Sequence, residues 1–541
     1  MELPVADVVI VGAGASGLTA AIRARDAGRE VLVLEKTDKY GGTTAISAGA
    51  LWIPNNSLQQ QAGIEDSKED AATYLTKVAL GQASPDLIRT YIDRCAEMID
   101  YLQGKTQIRF MIRSQLPDYH AEWEGGKRGG RSLEPQPFDG NLLGDLAGKI
   151  RVSAAYRPVT NGEMDGWGPT GGWDRGLIEE RSKRRILTVG PGLVAGLLLT
   201  CVDRSVRFLL EARVVRLIEK GGRVIGVTVE RGGEAMSVMA RRAVILACGG
   251  FAWNEEMKTH FLRGPDLASA TIPADEGDGI RMGSEVGAKL LNMNEAWWSP
   301  VIRIPREQID GRPAARMVVK ERTCPGSIMV NRAGRRFCNE AQNYHDLVRA
   351  FHFFDPQIYG YPNVPAFLIF DEAFRRRYSI GPVLPSMEVP PWIKRGGSPR
   401  ELADALGIVP EGLEKTIETF NVNARRGIDP EFHRGESIYD SAKGDKSAKH
   451  PCLAPLDTPP FHGFEVLPGD IGTKGGLAIN GKAQVLNVDG QVIPGLYAAG
   501  NVTASVMGAG YAGGGATLGP AMTFGYLAGM NAAEEPLVEE D

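Results

Sequence analysis

The sequence predicts an α/β protein: a doubly wound sheet with a small β-meander, interrupted by an inserted α+β domain. Three observations support this prediction. Residues 8–36 have the pattern of strand, glycine turn, helix and strand, and residues 485–501 return to buried strands followed by glycine. Between these segments, residues 280–465 are richer in arginine, proline and aromatic residues. We therefore expect one domain built from residues 1–279 and 466–541, with a second domain inserted at residues 280–465.

The N-terminal unit is Rossmann-like. Val8 to Val11 form a continuous apolar, β-branched run, and a G-x-G-x-x-G turn at residues 12–17 follows without a gap. An apolar stripe at helical spacing runs to Gly28, and a second buried strand at residues 31–34 ends at Glu35. Strand, turn, helix, strand and acid together indicate a dinucleotide site.

Each part of this unit has a physical role in holding a dinucleotide. The first glycine allows the tight turn, the second lets the backbone approach a pyrophosphate, and the third allows close packing of helix on strand. The unpaired N–H groups at the start of the helix face the phosphates, and the acid accepts the ribose hydroxyls. The predicted contacts are Gly12, Gly14, Ala15, Ser16, Gly17 and Glu35.

A hydroxyl-rich loop at residues 36–50 extends this prediction. Backbone N–H groups and threonine or serine hydroxyls in such a loop can surround a diphosphate and a ribitol. A nicotinamide domain would not need the loop, so its presence favours FAD over NAD, with a plain surface turn as the alternative. The predicted contacts are Lys36, Gly42, Thr43, Thr44, Ser47, Ala48 and Gly49.

The rest of the chain predicts elements in the same way. Residues 66–104 are amphipathic and helical, whereas residues 113–174 are rich in glycine, proline and aromatics and are expected to line a site. A buried helix is expected at residues 190–203, a hairpin at residues 213–229 and a buried strand at residues 243–250.

Composition and motifs exclude several functions. The 541 residues carry a net charge of −5, which gives no long-range attraction for nucleic acid. The six cysteines form no C-x-x-C and the seven histidines form no H-x-x-x-H, so no metal site is expected. No G-x-S-x-G or Walker motif is present.

No transmembrane segment is predicted either. The longest apolar stretch, residues 192–202, is too short to cross a bilayer. A strand begins almost at the N-terminus, so no signal peptide is expected and the cytoplasm is the predicted location, with peripheral association at a membrane left open.

Taken together, the glycine-rich segments resemble the flavoprotein subunits of fumarate reductase and succinate dehydrogenase. The resemblance implies FAD in an extended conformation, with Val214 near the adenine. It also implies a helix whose N-terminus, at the turn of residues 515–519, points at the flavin's N1 and C2 carbonyl. The resembling segments are residues 8–36, 41–44, 47–49, 247–250, 277–279, 475–477 and 495–501, and the further implied FAD contacts are Ala247, Gly249, Gly500, Asn501, Thr517 and Leu518.

Two departures from that family narrow the function. Met507 stands where the family has a dicarboxylate-binding histidine, and Tyr511 lies close to where it has an arginine. Neutral side chains cannot offset the desolvation of a dicarboxylate, so fumarate or succinate is disfavoured as substrate. The first histidine is His120, which leaves no N-terminal histidine for covalent attachment, and noncovalent FAD is expected.

A narrower resemblance is to the 3-ketosteroid dehydrogenases, chiefly the Δ1-dehydrogenases. It implies that the enzyme forms a C1–C2 double bond in a steroid-like ketone and passes the electrons to an external acceptor, either a quinone or a redox partner. The residues that carry it are 51–56, 130–135, 325–331, 336–340, 364–371 and 508–526.

The same resemblance implies roles for four residues. Tyr511 and the N–H of Gly515 hold the C3 carbonyl, Tyr344 removes the C2 proton, Tyr119 hydrogen-bonds to Tyr344, and hydride passes to flavin N5. Each tyrosine also has a purely structural alternative.

The ring position and the direction of reaction stay open at this point. The family's Tyr-Pro-Gly-Pro-Gly motif has lost both prolines, to Ala512 and Gly514, which predicts a more mobile loop. A Δ4-dehydrogenase, an ene-reductase acting on a cyclic ketone and, less favoured, a non-enzymatic electron-transfer module are the alternatives.

Overall fold

A computed structural model describes residues 5–170 and 172–538 of the chain, whose strands form two large sheets. The first sheet has eight strands and is parallel at its centre. Strand Val5–Val11 pairs in parallel with Val31–Leu34 on one side and with Glu234–Leu246 on the other. Val492–Ala498 lies parallel to Glu234–Leu246, which confirms that the C-terminal segment returns to the N-terminal sheet. The other strands are Arg207–Leu209, Arg213–Lys220, Arg223–Arg231 and Gln484–Leu486.

The predicted meander is the antiparallel part of this sheet. Arg213–Lys220 and Arg223–Arg231 form the expected hairpin, with Gly221 and Gly222 at positive φ in the turn. The first half of Glu234–Leu246 continues the antiparallel pairing, and its second half pairs in parallel with the first strand. One long strand therefore connects the meander with the nucleotide-binding sheet.

Two helices beside this sheet approach each other closely. A Cβ on Gly525 would lie 2.4 Å from the carbonyl oxygen of Ser16, and a Cβ on Gly529 would lie 2.3 Å from that of Ala20. Only glycine allows this approach of Leu518–Ala532 to Ala15–Asp26. The contacts advance together along both helices, so the helices run parallel.

The second sheet has seven strands and apolar side chains on both faces. Its central strand is Phe461–Thr473, which pairs antiparallel with Ala296–Ile309 and with Ala366–Asp371. The boundaries after residues 279 and 465 stay predictions; this central strand runs across the second of them. The other strands are Ala268–Ser269, Arg312–Met317, Ser327–Val330 and Lys394–Gly396.

Alternation along these strands separates two apolar clusters, as the period of two in a strand requires. Ile328 and Ile369 pack with helices Pro399–Leu406 and Pro410–Arg426 on one face. Met329, Leu368 and Phe370 pack on the other face, where helices Tyr344–Phe351 and Glu372–Arg377 contribute Leu347, Phe351 and Phe374. Tyr344 therefore begins a helix that the core of the second sheet holds in place.

The remaining elements connect the two sheets. The expected helical segment at residues 66–104 is two helices, Lys68–Ala79 and Pro85–Lys105, and the buried helix is Val189–Asp203. The other helices are Ser57–Gln61, Asn161–Trp167, Arg175–Lys183, Glu255–Phe261, Asp278–Glu285, Lys320–Thr323 and Ile438–Lys443, with 3-10 helices at Gly42–Ile46 and Gly140–Lys149. Small sheets contain Leu51–Trp52, Phe110–Ile112, Ser132–Pro135, Phe138–Asp139, Ile186–Leu187, Leu290–Leu291 and Gly476–Leu477.

None of the helices within residues 5–170 and 172–538 combines the length and apolarity that crossing a membrane requires.

A buried ionic network holds the segment that precedes Tyr344. The Glu340 carboxylate accepts two hydrogen bonds from Arg336, at 2.8 and 2.7 Å, and one from Arg434 at 3.2 Å. Burial opposes ionisation of Glu340, but the two guanidinium groups outweigh it and hold the pKa of this carboxyl below its usual range. Arg434 in turn donates to the carbonyl of Ser327, which ties the network to the second sheet.

We predict that Glu340→Ala strongly destabilises the protein. The change leaves two buried arginines without this carboxylate, and breaking a buried ion pair costs about 3–5 kcal/mol. Urea unfolding followed by tryptophan fluorescence measures the effect. Glu414→Ala, which removes an ion pair to Arg400 at the surface, is the matched control and should hardly move the midpoint. Equal shifts in the two variants would contradict the assignment.

Candidate active site

A cavity of about 700 Å³ lies at the edge of the first sheet and is also lined by residues of the second. The structure brings the candidate residues together around it, with the exception of Gly17. Those that line it are Gly12, Gly14, Ala15, Ser16, Glu35, Lys36, Gly42, Thr43, Thr44, Ser47, Ala48, Gly49, Tyr119, Val214, Ala247, Gly249, Tyr344, Gly500, Asn501, Tyr511, Gly515, Thr517 and Leu518.

The three glycines of the first turn are needed for different structural reasons. Gly12 has φ +106°, and a Cβ there would lie 2.4 Å from the carbonyl oxygen of Ala247. A Cβ on Gly17 would lie 2.0 Å from the carbonyl oxygen of Gly12, so Gly17 serves packing, as predicted. At Gly14 the backbone is extended and the nearest atom, Thr44 Oγ1, is 3.7 Å from a Cβ. Protein packing does not require Gly14, and the space beside it suits a phosphate.

Glu35 is buried and held with its carboxylate oriented. Its Oε2 accepts from the N–H of Ala13 at 3.1 Å, and its Oε1 accepts from the N–H and the hydroxyl of Thr37 at 2.9 and 3.0 Å. The remaining lone pair, on Oε2, can accept a ribose hydroxyl. The N–H of Ala212 donates to the backbone carbonyl of Glu35 at 2.9 Å, which brings Val214 to the same end of the cavity.

The hydroxyl-rich loop lies against the start of helix Ala15–Asp26 and lines the cavity, so it is not a plain surface turn. Thr44 Oγ1 accepts from the N–H of Ala15 at 3.2 Å, and the Thr43 hydroxyl donates to Asp275 at 2.9 Å. Burial raises the pKa of Asp275 to about 7. No sequence signal indicated this acid, which reaches the loop from residues far along the chain.

The N-terminus of a second helix also faces the cavity. Leu518–Ala532 carries no acidic residue in its first turn, so its dipole can meet negative charge on a ligand. Gly515 precedes this helix with φ +96°, and a Cβ there would lie 2.5 Å from the backbone of Leu51. Two helix N-termini and an oriented acid therefore fit an extended dinucleotide such as FAD.

The Gly515 peptide is hydrogen-bonded to the protein through its carbonyl. Its carbonyl accepts from the N–H of Trp52 at 3.0 Å and from that of Gly519 at 2.9 Å. Gly515 lines the cavity, and its own N–H has no acceptor among the residues that the structure describes. Gly515 is partly exposed at the cavity, so a ligand bound there can supply the acceptor.

Three tyrosines converge beside this amide, each from a different part of the chain. The ring centroid of Tyr511 is 5.1 Å from that of Tyr119, in a stacked arrangement, and 5.6 Å from that of Tyr344. The rings of Tyr119 and Tyr344 are 5.5 Å apart. Tyr439, which no local sequence signal indicated, completes the cluster with its ring 4.9 Å from Tyr119.

Burial decides the protonation state of this cluster. It raises the pKa values of Tyr119, Tyr344, Tyr511 and Tyr439 above the usual range, and for Tyr119 and Tyr344 the neighbouring phenols add to the effect. All four phenols are therefore neutral near pH 7 and can donate hydrogen bonds. The Tyr511 hydroxyl lies 3.0 Å from the hydroxyl of Thr517.

Three basic side chains hold the carbonyls just before Tyr511. Lys474 Nζ donates to the carbonyl of Gly510 at 2.6 Å, and Arg349 and His345 contact that of Ala509, the latter at 2.8 Å. Burial lowers the pKa of Lys474 to about 7, but both the ammonium and the neutral amine can donate. These contacts hold the carbonyls before Tyr511, whereas the missing prolines lie after it, at residues 512 and 514.

No group of three or more His, Cys, Asp or Glu side chains within the described parts of the chain is arranged to hold a metal ion.

We predict that Gly14→Ala lowers the affinity for FAD by roughly 10- to 100-fold while the protein still folds. The added methyl group comes no closer than 3.7 Å to a protein atom but enters the space beside the helix N-terminus, and overpacking against a ligand there costs about 1–3 kcal/mol. Flavin absorbance after gel filtration and a titration of the apoprotein measure the change. Gly104→Ala, on an open helix surface, should bind as wild type. Unchanged affinity in Gly14→Ala would contradict the assigned phosphate position.

Comparisons with known proteins agree with this geometry. Residues 7–518 match the family model described as FAD binding domain. The chain is 40% identical to 4-oxocyclohexanecarboxylate 2-dehydrogenase of Sinomonas cyclohexanicum, covering 99% of this chain and 94% of the relative. It is 36% identical to 3-oxosteroid 1-dehydrogenase of Mycobacterium tuberculosis, covering 98% of each.

A solved structure is similar over the full length. The crystal structure of 3-ketosteroid Δ1-dehydrogenase from Sterolibacterium denitrificans, in complex with 1,4-androstadiene-3,17-dione, superimposes with a TM-score of 0.92. Its sequence is 36% identical, covering 98% of this chain and 99% of that one. The resemblance to the steroid dehydrogenases is thereby confirmed. The chain belongs to the FAD-binding flavoprotein family and is an FAD-dependent oxidoreductase acting on CH–CH groups, in the group that contains the 3-oxosteroid 1-dehydrogenases.

Proposed function

We propose that the enzyme introduces a C1–C2 double bond next to the ketone of a 3-oxosteroid or a steroid-like cyclic ketone. The observation that supports this most is the pair of donors at one end of the cavity. The unpaired N–H of Gly515 and the neutral hydroxyl of Tyr511 lie four residues apart on one loop, where a ring ketone could accept from both.

Tyr511 and Gly515 act on the carbonyl oxygen. Hydrogen bonds to this oxygen strengthen as negative charge grows on it, which acidifies the hydrogen on the neighbouring carbon. Burial keeps the Tyr511 phenol protonated, and the cations behind the loop keep it in position. The site therefore offers neutral donors to a neutral ketone.

Tyr344 is the proposed base for the C2 proton, with Tyr119 beside it. FAD, when bound, supplies the acceptor for the hydride from C1. Residues of the glycine turn, Glu35 and the 42–49 loop would hold it. No histidine lines the cavity among the described residues, which supports noncovalent binding.

Two electrons leave the substrate in each turnover and must be removed before the next. We propose a quinone or a redox protein as the external acceptor, and a peripheral membrane location if the acceptor is a quinone. Tyr511 and Gly515 would donate to the substrate's carbonyl both when a saturated ketone is oxidised and when an enone is reduced.

One observation favours single-ring ketones as a second class of substrate. The relative that is 40% identical is named for 4-oxocyclohexanecarboxylate, a single-ring ketone, and the identity to it is higher than the 36% to the steroid enzyme. The chemistry at the ketone would be the same.

The first experiment is anaerobic mixing of the holoenzyme with substrate. We expect a 3-oxosteroid such as androstenedione to bleach the flavin absorbance and succinate to leave it unchanged. Tyr511→Phe should slow bleaching about 100-fold, as loss of one donor to a developing oxyanion does. Tyr526→Phe is the control, because its hydroxyl binds Glu97 outside the cavity. Wild-type rates in Tyr511→Phe would exclude its role, and product analysis identifies the bond oxidised.

We also predict that kcat/KM rises with pH from 7 to 10. A tyrosine base acts as phenolate, and burial raises the pKa of Tyr344 well above its usual value, so the reactive fraction grows about tenfold per pH unit below that pKa. A pH profile of flavin reduction tests this. Tyr344→Phe should be slow and nearly independent of pH. A bell-shaped profile with an optimum near pH 7 would indicate another base.

A further inference from the structure

One wall of the cavity carries more positive than negative charge. Arg113, Lys320 and Lys443 all line it there, and we call these three residues the cationic wall. Among the described residues, the carboxylate in contact with it is Asp165, which lies 3.8 Å from Lys443 Nζ and hydrogen-bonds to Arg113. Lys320 makes only a long contact, 3.5 Å, with the carbonyl of Met164. Three cations therefore share one carboxylate.

The other cationic side chains that line the cavity form close ion pairs with carboxylates. Lys36 bonds to Glu276 and Asp278 at 3.0 and 2.7 Å, and Arg316 makes a two-pronged bond to Glu307. Lys36 and Arg316 are therefore each paired with carboxylates of their own, unlike the three residues of the cationic wall.

The cationic wall adjoins the tyrosine cluster. Tyr439 and Lys443 are four residues apart on helix Ile438–Lys443 and lie on the same face, about one turn or 5–6 Å apart. The ring of Tyr439 is 4.9 Å from that of Tyr119. A ligand that touches the phenols can therefore reach Lys443 with its other end.

The electrostatics of Lys443 also favour an anion. Burial, with Arg113 and Lys320 adding repulsion, lowers the pKa of this lysine to about 8 in spite of Asp165. A carboxylate bound beside it would offset that cost and form charge-assisted hydrogen bonds.

We propose that the cationic wall binds a carboxylate carried by the ketone substrate, at the end opposite its carbonyl. The substrate is then a cyclic oxo acid, oriented by two different contacts: neutral donors at the ketone and lysines at the acid. This inference rests on the proposed function of the site.

The test compares an acid with its uncharged ester in the FAD-loaded enzyme. We expect 4-oxocyclohexanecarboxylate to be oxidised with a higher kcat/KM than its methyl ester. Lys443→Met should lower the value for the acid at least tenfold, since a hydrogen bond between charged groups is lost, and change the value for the ester less than twofold. Lys320→Met should act in the same direction.

Lys446→Met is the matched control, because it removes the same charge from an exposed position near Lys443 that does not line the cavity. It should leave both values unchanged. Equal kcat/KM values for acid and ester, or equal losses for both in Lys443→Met, would overturn the inference while leaving the ketone chemistry intact.

Calorimetry separates this inference from the proposed function. Cyclohexanecarboxylate has no ketone and should bind to wild-type holoenzyme and at least tenfold more weakly to Lys443→Met. If no ketone bleaches the flavin but this acid binds as expected, the anion site stands and the proposed reaction fails. Absence of binding by wild type would overturn the anion site whatever the ketones do.

Discussion

The free N–H of Gly515 is the constraint on which the rest of the site depends. Its carbonyl is occupied by Trp52 and Gly519, and its backbone packs against Leu51 so closely that no side chain could be added. The fold therefore holds the Gly515 amide at the wall of the cavity, and its N–H has no acceptor in the described part of the chain. In the proposed function the carbonyl of the ketone substrate is this acceptor, and the phenols lie beside it.

Charge is distributed along the cavity in a way that suits this chemistry. Lys474, Arg349 and His345 lie behind the Tyr511 loop, where they hold the carbonyls of Gly510 and Ala509. The phenols in front of them are neutral because they are buried. A cationic pair at this place would suit a dicarboxylate; a neutral pair suits a ketone.

The sequence could predict those parts of the fold and of the site that depend on short local motifs. The glycine turn, Glu35 and the hydroxyl-rich loop follow one another within the first 50 residues. The strands Val5–Val11 and Val31–Leu34 and the helix Ala15–Asp26 define their geometry. Tyr119, Tyr344 and Tyr511 were identified by resemblance, since nothing in their immediate neighbours distinguishes them from structural tyrosines.

Other residues could not be predicted, because tertiary packing alone brings them to the site. Tyr439 and Lys443 lie on a short helix with an ordinary serine cap, and Lys474 follows a strand of the second sheet. The loss of two prolines suggested a mobile loop, but the basic side chains that hold its carbonyls come from residues 345, 349 and 474. Which charges are paired likewise depends on contacts between distant segments.

The most direct test of this account is a crystal structure of the holoenzyme with a ring enone product. The account predicts the product's carbonyl oxygen within about 2.7–3.2 Å of both the Tyr511 hydroxyl and the Gly515 nitrogen, with the ring carbon next to the carbonyl facing Tyr344. A carbonyl bound elsewhere in the cavity, with the Gly515 N–H still free or bonded to water, would contradict it.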